Sequence, residues 1–77
     1  MGSGLPVVSG RRAAGAFAKN GFIERASRGR GSHIVMFRPE QPRLLTIPDH
    51  REVKRGTLRA LIRDAGVTVE EFVALLD

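Results

Sequence analysis

Cysteine is absent from this 77-residue chain, which excludes a disulfide framework and any thiolate metal site. No apolar run approaches the roughly 18 residues that a membrane-crossing helix requires. The N-terminus also lacks the basic-then-apolar order of a secretion signal, so the expected setting is cytoplasmic, away from membranes. Histidine is scarce: His33 and His50 stand 17 positions apart, which is no recognisable zinc spacing. There is no Gly-Lys-Ser/Thr phosphate loop, and Gly29-x-Gly31 lacks the third glycine and the following helix of a dinucleotide site. The expectation is therefore a protein with no metal and no other cofactor. Internal repeats and low-complexity segments are missing as well.

What remains is small, apolar enough to fold, and strongly basic. With 42% hydrophobic residues the chain is no disordered tail, but at this length a single core is small and stability is marginal. Residues 1–4, Met-Gly-Ser-Gly, are set aside as foreign to the fold, leaving 5–77 as one domain. Charge is unevenly spread. Positions 11–63 carry all 13 Lys and Arg against Glu24, Glu40, Asp49 and Glu52, a local net of +9. Positions 64–77 carry four acids and no base, a local net of −4. A body so cationic attracts polyanions, nucleic acid first; the plain alternative is a basic surface kept for solubility.

Periodicity sets the expected elements. Ser9 is a candidate N-cap for a helix over about residues 10–19, with Ala13, Ala14 and Phe17 on one stripe and Asn20-Gly21 as its stop. Arg11 and Arg12 sit unfavourably at the positive end of that helix, which suggests an anion nearby or simply solvated side chains. Three strands follow: an edge strand over 22–27, a nearly continuous apolar strand from His33 to Arg38, and a third over 43–47 ended by Pro48. The middle one reads as a central strand, buried on both faces or at least well covered. Period two puts His33, Val35 and Phe37 on one of its faces and Ile34, Met36 and Arg38 on the other. Pro39-Glu40-Gln41-Pro42 is the turn between the second and third strands.

From about Lys54 to Ala65 the period becomes helical. Leu58, Leu61, Ile62 and Ala65 form a core stripe, while Arg55, Arg59 and Arg63 form a neighbouring basic ridge, ordinarily a solvated face. Gly66 ends this helix. Thr68-Val69-Glu70-Glu71 is a capping box opening a short last helix, with Val67 and Phe72 at the staple positions. The fold class expected is α+β: helix, three antiparallel strands, helix, short C-terminal helix, with the helices on one sheet face and the other face open.

One stretch concentrates chemistry. Arg28-Gly29-Arg30-Gly31-Ser32-His33 is a basic, glycine-rich approach that leads directly into the central strand. Gly29 and Gly31 let the backbone come close to a ligand, and Arg28 and Arg30 supply fixed positive charge, a combination suited to phosphate. Ser32 offers a hydroxyl to a phosphate oxygen. Lys54 and Arg55 are further candidates for phosphate contact from the second helix. His33 presents an imidazole at the mouth of the loop. His50 follows Asp49, which could orient its ring, but such loop pairs are mostly turn-forming.

Several segments together resemble the HicA-type toxins. They are Leu5-Pro6-Val7-Val8-Ser9-Gly10, Asn20-Gly21-Phe22, Gly31-Ser32-His33, Ile47-Pro48-Asp49-His50 and Lys54-Arg55-Gly56-Thr57-Leu58-Arg59. Residues 65–72 are similar to that family too. The resemblance implies a fold like the double-stranded-RNA-binding domain, an mRNA-cleaving activity, RNA as substrate and a HicB-type antitoxin as partner. It also implies that His33 is the catalytic histidine. Many members carry a second histidine directly after the first; this chain has Ile34 there, which leaves a single-histidine mechanism.

Metal-free cleavage of RNA needs a base for the 2′-hydroxyl proton, cations against charge building on phosphorus, and an acid for the leaving 5′-oxygen. Histidine exchanges protons near neutral pH, its ordinary pKa being about 6.5. Two further readings stand beside this one: a non-catalytic RNA-binding module of the same fold, and a protein-interaction subunit whose basic face docks an acidic partner.

Overall fold

A computed structural model of the protein describes residues 4–25 and 33–76. The element order is α1 (Gly10–Lys19), β1 (Ile23–Glu24), β2 (His33–Arg38), β3 (Gln41–Pro48), α2 (Arg55–Ala65) and α3 (Val69–Ala74). The sheet is antiparallel in the order β1-β2-β3, so β2 is central as its apolar run implied. The α+β class and the antiparallel sheet agree with the expected architecture.

The helices begin and end where local chemistry dictates. Ser9 Oγ accepts from the Arg12 backbone N–H at 3.0 Å and caps α1. The chain leaves α1 through Gly21, whose φ of 98° suits a residue without Cβ. Gly66, with φ of 80°, ends α2 in the left-handed conformation. The Thr68 and Glu71 side chains each accept from the other's backbone N–H, the reciprocal box expected for α3.

α1 and α2 pack on one face of the sheet, and α3 packs against both of them. Ala13, Ala14, Ala16 and Phe17 of α1 meet Ile34, Met36, Leu45 and Ile47 of the strands and Leu58, Leu61, Ile62 and Ala65 of α2. Phe72 of α3 closes one end, its ring 5.1 Å from that of Phe17. The lead-in is part of this core: Leu5 and Val8 are buried, and Val8 C=O accepts from Val53 N–H at 2.9 Å. Gly10 lies so close to the end of β3 that a Cβ there would overlap the Pro48 carbonyl oxygen.

Three expectations about the strands need correction. β1 is only Ile23–Glu24, with Phe22 turned into the core beneath it; Ala26 and Ser27, the end of the longer strand expected there, lie outside the described residues. β3 starts at Gln41 instead of Arg43, because Arg38 and Gln41 already pair and only Pro39 and Glu40 make the turn. Pro42 is tolerated inside β3 because the strand is at the sheet edge and the register shifts between Met36 and Arg38, where no ladder donor is required of it. Finally, β2 is covered on one face only: Ile34 and Met36 are buried, while His33 is exposed and Val35 and Phe37 are half-buried.

The far end of the sheet is held by one guanidinium. Arg38 Nη1 donates to the Asn20 carbonyl and to Asn20 Oδ1 at 3.0 and 2.6 Å, and Nη2 donates to Gln41 Oε1 and the Ala65 carbonyl, both at 3.1 Å. Its carbon Cζ also lies 4.4 Å from the centre of the Phe22 ring. Among the described residues no helix is long and apolar enough to cross a membrane.

Candidate nucleic-acid interface

His33 opens β2 at the end of the sheet opposite Arg38, paired in register with Pro48, the last residue of β3. Because Ile34 is buried against the helices, alternation turns His33 to the open face, and its side chain is exposed there. Among the described residues none forms a hydrogen bond with its imidazole. The ring is therefore accessible from solvent at the edge of a strand whose backbone is fixed on both sides by neighbouring strands.

The same end of the molecule gathers three other pieces. The chain turns out of Pro48 through residues 49–54 into α2, and the His50 carbonyl accepts from Gly10 N–H at 2.9 Å. That bond ties the loop to the start of α1, which gives His50 a backbone role; no hydrogen bond links its ring to Asp49 among the described residues. Lys54 is the N-cap residue of α2 and Arg55 its first helical residue, both exposed. They line a depression of about 460 Å³ with Pro6, Val7, Glu52 and Val53. No side chain caps the free amides of this helix end, and no acidic residue stands in its first turn. It is a locally positive surface, through its backbone dipole as well as its two cations.

Of the two readings of the basic start of α1, an anion nearby or solvated side chains, Arg11 meets the first through the protein's own Glu24. Arg11 Nη1 pairs with Glu24 Oε1 at 2.9 Å, and this hydrogen bond, then the Glu24 charge, raise the Arg11 pKa, with a smaller push from Asp49. Arg12 remains exposed. On α2, Arg55, Arg59 and Arg63 are all exposed, as the ridge required. Arg28, Gly29, Arg30, Gly31 and Ser32, the proposed phosphate loop, lie outside the described residues. The structure thus brings His33, Lys54 and Arg55 to one end of the domain.

Two residues were given no role by the sequence. Phe37 shares His33's face, a placement that the period of two made visible without giving it a role. Period two put Arg38 on the face opposite His33, but its partners Asn20 and Ala65 lie 18 and 27 positions away in the sequence.

The family described as "HicA toxin of bacterial toxin-antitoxin" matches residues 10–67, about three quarters of the chain. The chain belongs to the HicA toxin family. The match runs from the first residue of α1 through α2 to Val67 and includes the whole sheet. Among curated proteins, none matches the chain. Membership makes the chain a toxin of the toxin–antitoxin kind, a class that pairs a toxin with an antitoxin.

Proposed function

We propose that this HicA-family toxin is an endoribonuclease that cleaves mRNA without a metal and so arrests translation, with His33 as its acid–base residue. The observation that carries the reading is the position of His33: a solvent-accessible imidazole on the open face of the central strand, at the same end as Lys54 and Arg55. In this reading His33 takes the proton of a ribose 2′-hydroxyl. The freed oxygen attacks the adjacent phosphorus, the bond from phosphorus to the 5′-oxygen breaks, and that oxygen takes a proton from His33 or from water. Arg28 and Arg30, with Lys54 and Arg55 from α2, offset charge on the pentavalent phosphorus, and Ser32 and the amides around Gly29 and Gly31 hold its oxygens. A HicB-type antitoxin is the neutralising partner.

Incubation of the purified protein with a defined mRNA tests this. Cleavage is expected from the wild type and is lost in His33→Ala and His33→Gln while their circular dichroism stays native. A folded His33→Ala that still cuts RNA overturns the assignment. The exposed ridge of Arg55, Arg59 and Arg63 favours a second reading, a non-catalytic RNA-binding module. That reading expects complexes whose affinity falls steeply with salt and no RNA product from the wild type.

A further inference from the structure

The open sheet face carries more apolar surface than a solvated face requires. Ile23 is 48% exposed and Leu44 47% exposed, and they flank the half-buried Phe37 of β2. Ile23 is the cross-strand partner of Phe37 on β1. Leu44 precedes the buried Leu45, so it points to the same open face from β3. Around Phe37 lies a shallow depression of about 370 Å³ whose walls include Arg25, Pro42 and Leu44. Arg25 reaches this face because its N–H donates to the Val35 carbonyl at 2.8 Å, which extends the β1–β2 register by one residue.

The charge on the face has one sign. Its side chains, read by alternation from the paired strands, are Arg25 and His33 among apolar and hydroxyl residues; among the described residues of the strands it holds no carboxylate. Glu24 points to the helix side, where it pairs with Arg11, and Arg43 is likewise drawn to Asp64 of α2 at 3.2 Å. A half-buried aromatic ring in a hollow walled by Pro42, Leu44 and the arginines Arg25 and Arg38, with no carboxylate among the lining residues, suits a nucleobase. The ring stacks on the base and the Arg25 guanidinium meets the phosphate beside it.

We infer that the open face is a subsite for single-stranded RNA, in which Phe37 stacks on an unpaired base a few nucleotides from the phosphate presented to His33. This inference rests on the reading of the protein as an RNA-cleaving toxin. The spacing is compatible with one strand of RNA lying along β2: Phe37 is four residues from His33 on the same face, about 13 Å at the rise of a β-strand. A duplex cannot use the subsite, since its bases are stacked on each other. The substrate class it selects is therefore single-stranded or locally opened RNA.

Three variants of the full chain test the subsite, each measured for cleavage and for binding of a labelled single-stranded RNA of mixed sequence. Phe37→Val keeps a strand-forming apolar residue but removes the ring; it is expected to bind RNA about tenfold more weakly. Phe37→Tyr keeps the ring and retains wild-type affinity. Phe37→Trp places the chain's only indole at the site, and its fluorescence is quenched when RNA is added. Wild-type affinity in a folded Phe37→Val, or an unquenched indole in a saturated complex, overturns the inference. So does a Phe37→Val variant that loses antitoxin binding while holding RNA normally, because the face is then a protein-docking surface. If Phe37→Val does not fold, the indole signal alone decides. Wild-type cleavage that His33→Ala abolishes leaves the endoribonuclease reading intact whatever Phe37 does, so the two can fail separately.

Discussion

Arg38 shows how one side chain can organise a small domain. It accounts for four hydrogen bonds and a ring contact, joining the end of α1, the hairpin and the last turn of α2. Two of its acceptors are backbone carbonyls at helix ends, which have no intrahelical partner to fall back on. Arg38→Met keeps much of the packing but removes every donor, so unfolding in urea is expected to show a loss of about 3 kcal/mol. Arg38→Lys recovers only part of that, since an ammonium cannot span the Asn20 and Ala65 carbonyls with a planar fork. An unchanged urea midpoint in Arg38→Met removes the structural role assigned here. Little of this was legible beforehand. The period of β2 showed which face Arg38 occupies, but its partners lie far away in sequence, and only the assembled fold brings them together. His33 is the reverse case: the face it shares with Val35 and Phe37 follows from a two-residue alternation, and the fold leaves that face open.

At the scale of the element, legibility depended on whether the signal is local. Caps are local. Ser9, Gly66 and the Thr68–Glu71 box are each formed by residues within a turn of one another, and each stands where the sequence placed it. The box makes a direct prediction: Thr68→Ala removes the acceptor for the Glu71 N–H and is expected to cost about 1 kcal/mol in thermal or urea unfolding, without altering RNA cleavage. Helix stripes are also local in this sense, and all four stripe residues of α2 are buried. Strand limits are not. The start of β3 depends on which residue of β2 it meets, and the Arg38–Gln41 pair carried the strand back through Pro42 against the turn signal of two prolines. The extent of β1 likewise depends on its partner, since its residues mix charge and apolar character. The basic, glycine-rich residues 28–32 before His33 were the most distinctive stretch of the sequence, and they lie outside the described residues.

For the whole molecule, the division of the sheet into a helix-covered face and an open face separates the core from the proposed site. The buried core residues lie on one side, and the exposed His33 of the proposed site lies on the other, so a substitution at His33 is expected to leave the core untouched. The basic excess read from composition is likewise not uniform. Arg11, Arg38 and Arg43 are engaged with Glu24, Glu40 and Asp64 within the fold, and the exposed remainder includes Arg12, Lys54 and the α2 ridge. With a formal net charge of +5, copies of the chain also repel one another.

The shape of β3 adds to that repulsion. A sheet edge is a template for any passing strand, and this one borders a face with exposed Ile23 and Leu44, a combination that invites stacking of copies into fibrils. Pro42 and Pro48 each withhold an amide from the edge, and the irregular register near Arg38 bends the strand between Met36 and its turn. Only a short stretch between the two prolines is left for an incoming strand to pair with. The protein is accordingly expected to sediment as a single chain, and replacing both prolines by threonine is expected to produce thioflavin-positive aggregates on storage. On this expectation, two imino acids at one edge are what keep separate copies of the chain from joining strand to strand.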